Sequence, residues 1–275
     1  MKKKELFSIV FAALLLLAGA SFAEGHPEGS TDAGRGEKAS GKGDFDPKAK
    51  TLPKGFPGHD IVEVFKAAEA RRGERETAGG RAEEGSASGI HAFPVEDRAN
   101  VVLSPYNPRS RSLKISLLLH GITASSAPES ARWAISVKEI DTKTDSYIGC
   151  TKCGVQQKVT ALFKDSYALA VLNPDRIVHD RKKDAALYAV TVRGISPSAA
   201  RALKESVALL VVCTPDLSRS GGPAPFRGEY RFSWTVYKPV DLTKDIHYLP
   251  ARIAEIWAYD PATGKVYAKE KIGPR

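Results

Sequence analysis

From Ser112 onward the chain is dominated by strand-like alternation. Ser112-Leu-Lys-Ile-Ser-Leu-Leu-Leu-His120 starts with a period of two and ends as a buried run. Trp133, Ile135 and Val137 alternate with Ala134, Ser136 and Lys138. A period of two is that of a strand with one face covered. Asp141–Asp145 reads as a polar turn, after which Ser146-Tyr-Ile returns toward Cys150. Val159–Phe163 and Tyr167–Leu172 flank a second turn at Lys164–Ser166. Ala186–Val192 and Val207–Cys213 are apolar and β-branched, and Tyr230–Tyr237 alternates throughout. The closing pair, Ile253–Tyr259 and Val266–Lys269, is joined by Asp260-Pro-Ala-Thr-Gly264. Gly264 suits the positive-φ position of a hairpin loop. One helix interrupts the series. Ser196 is its cap, Pro197 its first residue, and it runs to Ser206. About ten strands with a single helical crossover predict a mainly β fold, a β-sandwich-like domain rather than a doubly wound sheet.

The pattern places that domain at 93–275, a length of 183 residues that is ample for one core. Residues 24–92 read as a flexible linker. The stretch from 24 to about 58 is rich in Gly, Ser, Lys and Glu and has few large apolar residues with which to offset chain entropy. Within the linker, Ile61, Val64, Phe65 and Ala68 recur at helical spacing. They predict a short amphipathic helix over about 60–72, capped by Asp60 and ended by Gly73. Charged and Gly/Ser-rich residues then lead to Gly89. Gly34-Arg-Gly36-Glu-Lys-Ala39 matches a dinucleotide fingerprint in letters only, because no strand precedes it and no helix follows.

The first 23 residues have the layout of a secretory signal peptide: Lys2-Lys3-Lys4, an apolar run from Leu6 to Ala20, and Ser21-Phe22-Ala23 before a mature start at Glu24. The apolar run of 15 residues is short beside the roughly 20 that a bilayer span needs, and no later segment reaches that length. No Cys follows it to carry a lipid. The expectation is a periplasmic or extracellular protein without a transmembrane segment after cleavage.

Charge alters this picture little. The chain carries 41 Lys+Arg against 32 Asp+Glu, a net +9 that falls to +7 once residues 1–23, with three Lys and one Glu, are removed. Arg71-Arg72, Arg109-Ser-Arg111 and Arg181-Lys182-Lys183 lie far apart and have no aromatics between them. Nucleic acid is therefore not expected, and a protein or an anionic envelope polymer is the partner class an exported basic chain suggests.

The nearest approach to a chemical motif is Cys150-Thr-Lys-Cys153, with Cys213 as the third cysteine. Export permits oxidation, so a structural disulfide, local or to Cys213, is the first reading. A thiol-redox pair would need Cys150 at a helix N-terminus, and Val155, Val159, Leu162 and Phe163 fit helix and strand equally. Ordinary c-type haem attachment is excluded, because Gly154 stands where His must follow. A metal would need further ligands, and Cys213, His120, His179 or His247 are the weak candidates. His120 ends an apolar strand, His179 precedes Asp180, and His247 reads as loop before Pro250. A triad can be assembled on paper with Ser104 or Ser233, but G-x-S-x-G, H-E-x-x-H and a Walker A loop are all absent. The aromatics at Trp133, Tyr230, Phe232, Trp234, Trp257 and Tyr259 read as core before they read as a glycan or peptide platform. No cofactor is implied and no catalytic residue is assigned. The sequence thus points to an exported, non-enzymatic binding or envelope-assembly module of unknown ligand. A thiol-redox or metal-binding protein using Cys150 and Cys153 is the alternative, and an envelope hydrolase the weaker one.

Overall fold

The structure, a computed structural model, describes residues 45–77, 89–122, 124–151, 153–174, 176–180, 185–216 and 224–273. Residues 1–44 and 78–88, which include the expected signal peptide and much of the expected linker, lie outside the described residues. Alternating segments become strands: β1 (His91–Pro94), β2 (Val101–Leu103), β3 (Ser112–Gly121), β4 (Trp133–Cys150), β5 (Gln156–Val171) and β6 (Val178–Asp180). They continue as β7 (Ala185–Arg193), β8 (Ala208–Pro215), β9 (Phe226–Phe232), β10 (Val240–Tyr259) and β11 (Val266–Lys271). Helix α1 spans Ile61–Thr77 and α2 spans Pro197–Ser206. The fold is mainly β.

The strands form one large mixed sheet in the order β1-β8-β10-β5-β4-β3-β7-β6, with β9 and β11 also on β10 and β2 also on β3. Every ladder is antiparallel except that of β5 with β10. The first half of β10 lies between β9 and β5, and its second half between β8 and β11. β3 pairs with β4 only at His120 and Gly121, and with β7 along most of its length. The main core is formed by Leu113, Ile115 and Leu117 of β3, Val190 of β7, Leu169 of β5 and Leu209 of β8.

A register shift in β10 between Ile253 and Glu255 exchanges its two faces. Leu249, Ala251 and Ile253 enter the main core, as do Ile256 and Ala258 beyond the shift. Trp257 and Tyr259 thereby join Leu210, Val212 and Ala92 on the opposite face. The segment 45–56 covers that face. Leu52 is buried there, the Phe45 and Trp257 rings lie 5.2 Å apart, and Leu52 N–H donates to Gly264 C=O at 2.7 Å. Gly264 has the expected positive φ of 73°, and a Cβ there would fall 2.0 Å from the Leu52 carbonyl oxygen. The predicted crossover helix is also present. The Ser196 hydroxyl accepts from Ala199 N–H, Pro197 opens α2, and the helix joins the non-adjacent strands β7 and β8.

Several expectations need correction. Among the described residues, packing begins at Phe45 rather than Phe93. Residues 45–72 hold few apolar side chains, but Phe45, Leu52, Phe56, Ile61, Phe65 and Ala68 are each set against the sheet. Asp60 does cap α1, accepting from Val62 N–H at 2.9 Å. Gly73 does not end the helix, which continues to Thr77. The polar stretches Asp141–Asp145 and Lys164–Ser166 are not turns. β4 and β5 run through them as a long ladder that absorbs its irregularity in bulges at Ser136/Lys138 and Asp141/Lys143. Asp141–Asp145 is polar because β4 is exposed from Ile140 to Ile148, and the facing Lys164 and Asp165 of β5 are only partly covered. Conversely, Tyr230–Tyr237 is not one strand. β9 stops at Phe232, and a loop closed by the Thr235–Lys238 bridge leaves Tyr237 99% exposed.

Candidate functional site

The three cysteines are free thiols and are not brought together. Cys150 ends β4 and Cys153 lies in the turn before β5, both exposed. Gly154 N–H donates to Thr151 C=O at 2.9 Å, Val155 N–H donates to the Thr151 hydroxyl at 3.1 Å, and Gly154 has φ 79°. The residues after Cys153 form strand β5, so this dithiol lacks the helix N-terminus that lowers a redox thiol's pKa. Cys213 sits in β8 with no exposed surface, and burial pushes its thiol pKa far up. The expected disulfide, local or to Cys213, is thus not formed: Cys150 and Cys153 are free at the surface, and Cys213 is sealed inside the main core.

The three candidate histidines, His120, His179 and His247, are likewise dispersed, whereas His59 and His91 lie with their rings 4.8 Å apart. His179 lies on β6 with its ring 5.7 Å from Trp133. His247 is in β10, not in a loop. It is buried between Tyr167, stacked at 4.6 Å, and Phe65 of α1, edge-on at 5.2 Å. Neither of its ring nitrogens has a hydrogen-bond partner, and Asp165 lies 3.7 Å away. Among the described residues, no group of three or more His, Cys, Asp or Glu is placed to hold a metal. None of their helices is long and apolar enough to cross a membrane.

Of the three candidate histidines, His120 is the one that lines the larger cleft. The strands that give Ile135, Tyr167 and Leu169 to the core point Ala134, Ser136, Ser166 and Ala168 the other way. Ala134 is paired with Ala170, Ser136 with Ala168, and Glu139 with Ser166. Small side chains on neighbouring strands leave a depression, a cleft of about 590 Å3. That volume lies within the roughly 300–1,000 Å3 typical of small-molecule sites. Leu242, Lys244 and Ile246 of β10 extend the floor, and Tyr230 and Tyr248 form one side. The other side is His120 with the 3-10 turn Arg98–Asn100 and its cap, Asp97.

Hydrogen bonds fix this second side. Asn100 is buried, and its Nδ2–H donates to Asp97 Oδ2 at 3.0 Å. The amide oxygen must then face His120, whose Nε2 lies 2.7 Å away. An oxygen there accepts, so Nε2 carries the proton and Nδ1 is left as an acceptor. Burial, reinforced by the nearby Lys244 charge, lowers the His120 pKa below its ordinary value, while Asp97 and Glu139 partly oppose the shift. The ring is therefore neutral at pH 7. At the base of the cleft Glu139 pairs with Lys244 through one oxygen and with Lys164 through the other, the latter at 3.5 Å. Lys164 also meets Asp141 at 3.1 Å, and this bond raises the Lys164 pKa. The Ser136 hydroxyl is buried in the cleft wall with no hydrogen-bond partner.

No family model, curated protein or solved structure matches this chain. The site must be read from its own chemistry. Of the residues singled out by sequence, the cleft contains His120 and Tyr230. Ser104 and Ser233 do not line it, and Asp97, Asn100, Ser136, Glu139, Lys244 and Tyr230 do. One signal for the cleft was present in the sequence: small residues at every second position of Ala134–Ser136 and Ser166–Ala170, opposite large ones.

Proposed function

We propose that this protein is an exported, non-enzymatic binding module that holds a small ligand in the cleft bounded by His120, Ser136 and Tyr230. The observation that carries the reading is the Ser136 hydroxyl, buried in the wall of a roomy cleft with no protein partner. An unpaired buried hydroxyl costs about 1–3 kcal/mol, which a ligand's hydrogen bond would recover. The folded-over sheet acts as a sandwich-like scaffold, with β3 and β7 as one layer and β4, β5, β8 and β10 as the other. Export rests on the N-terminal sequence pattern.

The test is a fragment screen followed by amide NMR on the full mature chain. Shifts should cluster at Ser136, Ala168 and Lys244 and vanish in Ala168→Leu, which fills the floor. Ligand shifts confined to other surfaces would sink the proposal, as would turnover of ester or peptide substrates that is lost in His120→Ala.

A second reading keeps Cys150 and Cys153 as a surface thiol or metal site. Both are exposed at a tip that also presents Ile148, 66% exposed, and Val155, 48% exposed. Thiol titration with and without reductant and chelator decides it, since an irreducible disulfide with no bound metal would remove the idea.

A further inference from the structure

The chemistry of the cleft also indicates what kind of ligand it takes, an inference that rests on the binding reading above. Its charged groups are already engaged. Glu139 is shared between Lys244 and Lys164, and Lys164 has Asp141 as a second carboxylate partner. Asp97 accepts from Ala99 N–H through one oxygen and from Asn100 through the other. An anionic ligand would meet Asp97 and Glu139, and a cationic one would meet Lys244. Either would break an existing pair without gaining a free counter-charge.

What remains open is uncharged. Ser136 Oγ–H can both donate and accept, and His120 Nδ1 can accept. Tyr230 is half-exposed at the rim and presents a ring face and a phenol hydroxyl. Between these groups lies an apolar floor of Ala134, Ala168, Leu242 and Ile246. An acyl chain would cover the floor but strand the Ser136 hydroxyl and the His120 nitrogen away from water. A ligand with a flat carbon–hydrogen face and hydroxyls along its edge satisfies both. Each hydroxyl is donor and acceptor at once, matching a site that offers both in close proximity. We infer that the cleft binds a neutral saccharide, with the sugar's carbon–hydrogen face on the alanine floor and Tyr230 and its hydroxyls on Ser136 and His120.

The test is saturation-transfer NMR on the full mature chain with cellobiose, maltose and chitobiose as probes. Glucuronic acid, glucosamine and uridine serve as the acidic, basic and planar-base comparators. At least one disaccharide should bind, at least tenfold more tightly than any comparator. Tyr230→Ala, a rim substitution with little structural burden, should weaken it at least tenfold, and Ala168→Leu should abolish it, with a lowered melting temperature from overpacking this buried position. If a comparator binds in the cleft while the three disaccharides do not, the saccharide inference is overturned and the cleft reading stands. If no probe perturbs Ser136, Ala168 or Lys244 and the fragment screen also misses the cleft, both fall. If a disaccharide binds wild type and Tyr230→Ala equally, it occupies another surface and the inference is overturned.

Discussion

Phe65→Ala tests whether α1 belongs to the folded unit. Phe65 is 1% exposed and packs edge-on against Tyr167, with ring centroids 5.9 Å apart, and against His247 at 5.2 Å. Among the described side chains of this helix, Ile61 and Ala68 are also buried. A single helix of this length is marginal in water, so its stability must come from that stripe. Truncating a buried Phe to Ala costs about 3–5 kcal/mol. The lower end applies here, because an outer helix can settle into the gap and water can reach the unpartnered His247 nitrogens. A loss of about 3 kcal/mol is a large share of the roughly 5–15 kcal/mol by which domains are stable. With a urea m-value of about 3 kcal/mol/M the midpoint should fall by about 1 M. Lys66→Ala, on the exposed side of the same helix, is the control and should leave the midpoint unchanged. A Phe65→Ala shift no larger than the control's would show that α1 is not docked in solution and that 45–77 is linker after all.

Three further outcomes follow from the same geometry. In reduced native protein two thiols, Cys150 and Cys153, should react rapidly with Ellman's reagent, and Cys213 only after denaturation; rapid reaction of all three would contradict its burial. By NMR, His120 should titrate below its ordinary 6.5 and move upward in Lys244→Met, and an unchanged midpoint would remove Lys244 as a cause. Because its folded pKa is depressed, the stability it contributes is complete above about 6.5 and declines as pH falls through the folded value. Asn173→Ala should destabilise the fold by about 2–3 kcal/mol in urea melts, because the buried amide bonds both Ile253 N–H, at 2.7 Å, and Ile253 C=O, at 2.8 Å; a neutral result would mean that water replaces it.

The mainly β character was legible because alternation is local. Ser112–His120 and Ala186–Val192 have one covered face, and that is a property of each strand alone. So was α2, whose Ser196 cap and Pro197 need no tertiary context. The reach of β4, β5 and β10 was not legible. Asp141–Asp145 has turn composition, and only its pairing with β5 keeps it extended. Pro250 suggested a break, yet it lies inside β10 with its carbonyl accepting from Asp216 N–H. The docking of 45–72 was hidden for a related reason. A few apolar residues spread through polar sequence look like a linker until the sheet supplies faces for Phe45 and Phe65. For the site, His120 could be flagged from its place at a strand end. Asn100, Ser136 and Lys244 could not, because they lie on different elements that only the sheet order brings to one cleft.

Several side chains on that cleft are smaller than the fold's stability alone would favour, although Ala134 and Ala168 also pack in a buried cluster with Ala170, Phe226 and Tyr248. Ala134, Ser136, Ser166 and Ala168 occupy strand positions where Val, Ile or Thr would fit a pleated surface better. Each added buried methylene would contribute about 0.8 kcal/mol. On the opposite face of the same strands the chain does place Ile135, Tyr167 and Leu169, so large residues are compatible with this backbone. The cleft also leaves the Ser136 hydroxyl buried without a partner and sets Glu139 between two lysines instead of apolar neighbours. Smallness, an orphaned polar group and partly buried charge on one face each sacrifice stability, and all three meet at one depression. Local departures of this kind are what a binding site requires and what a purely structural sheet face would fill.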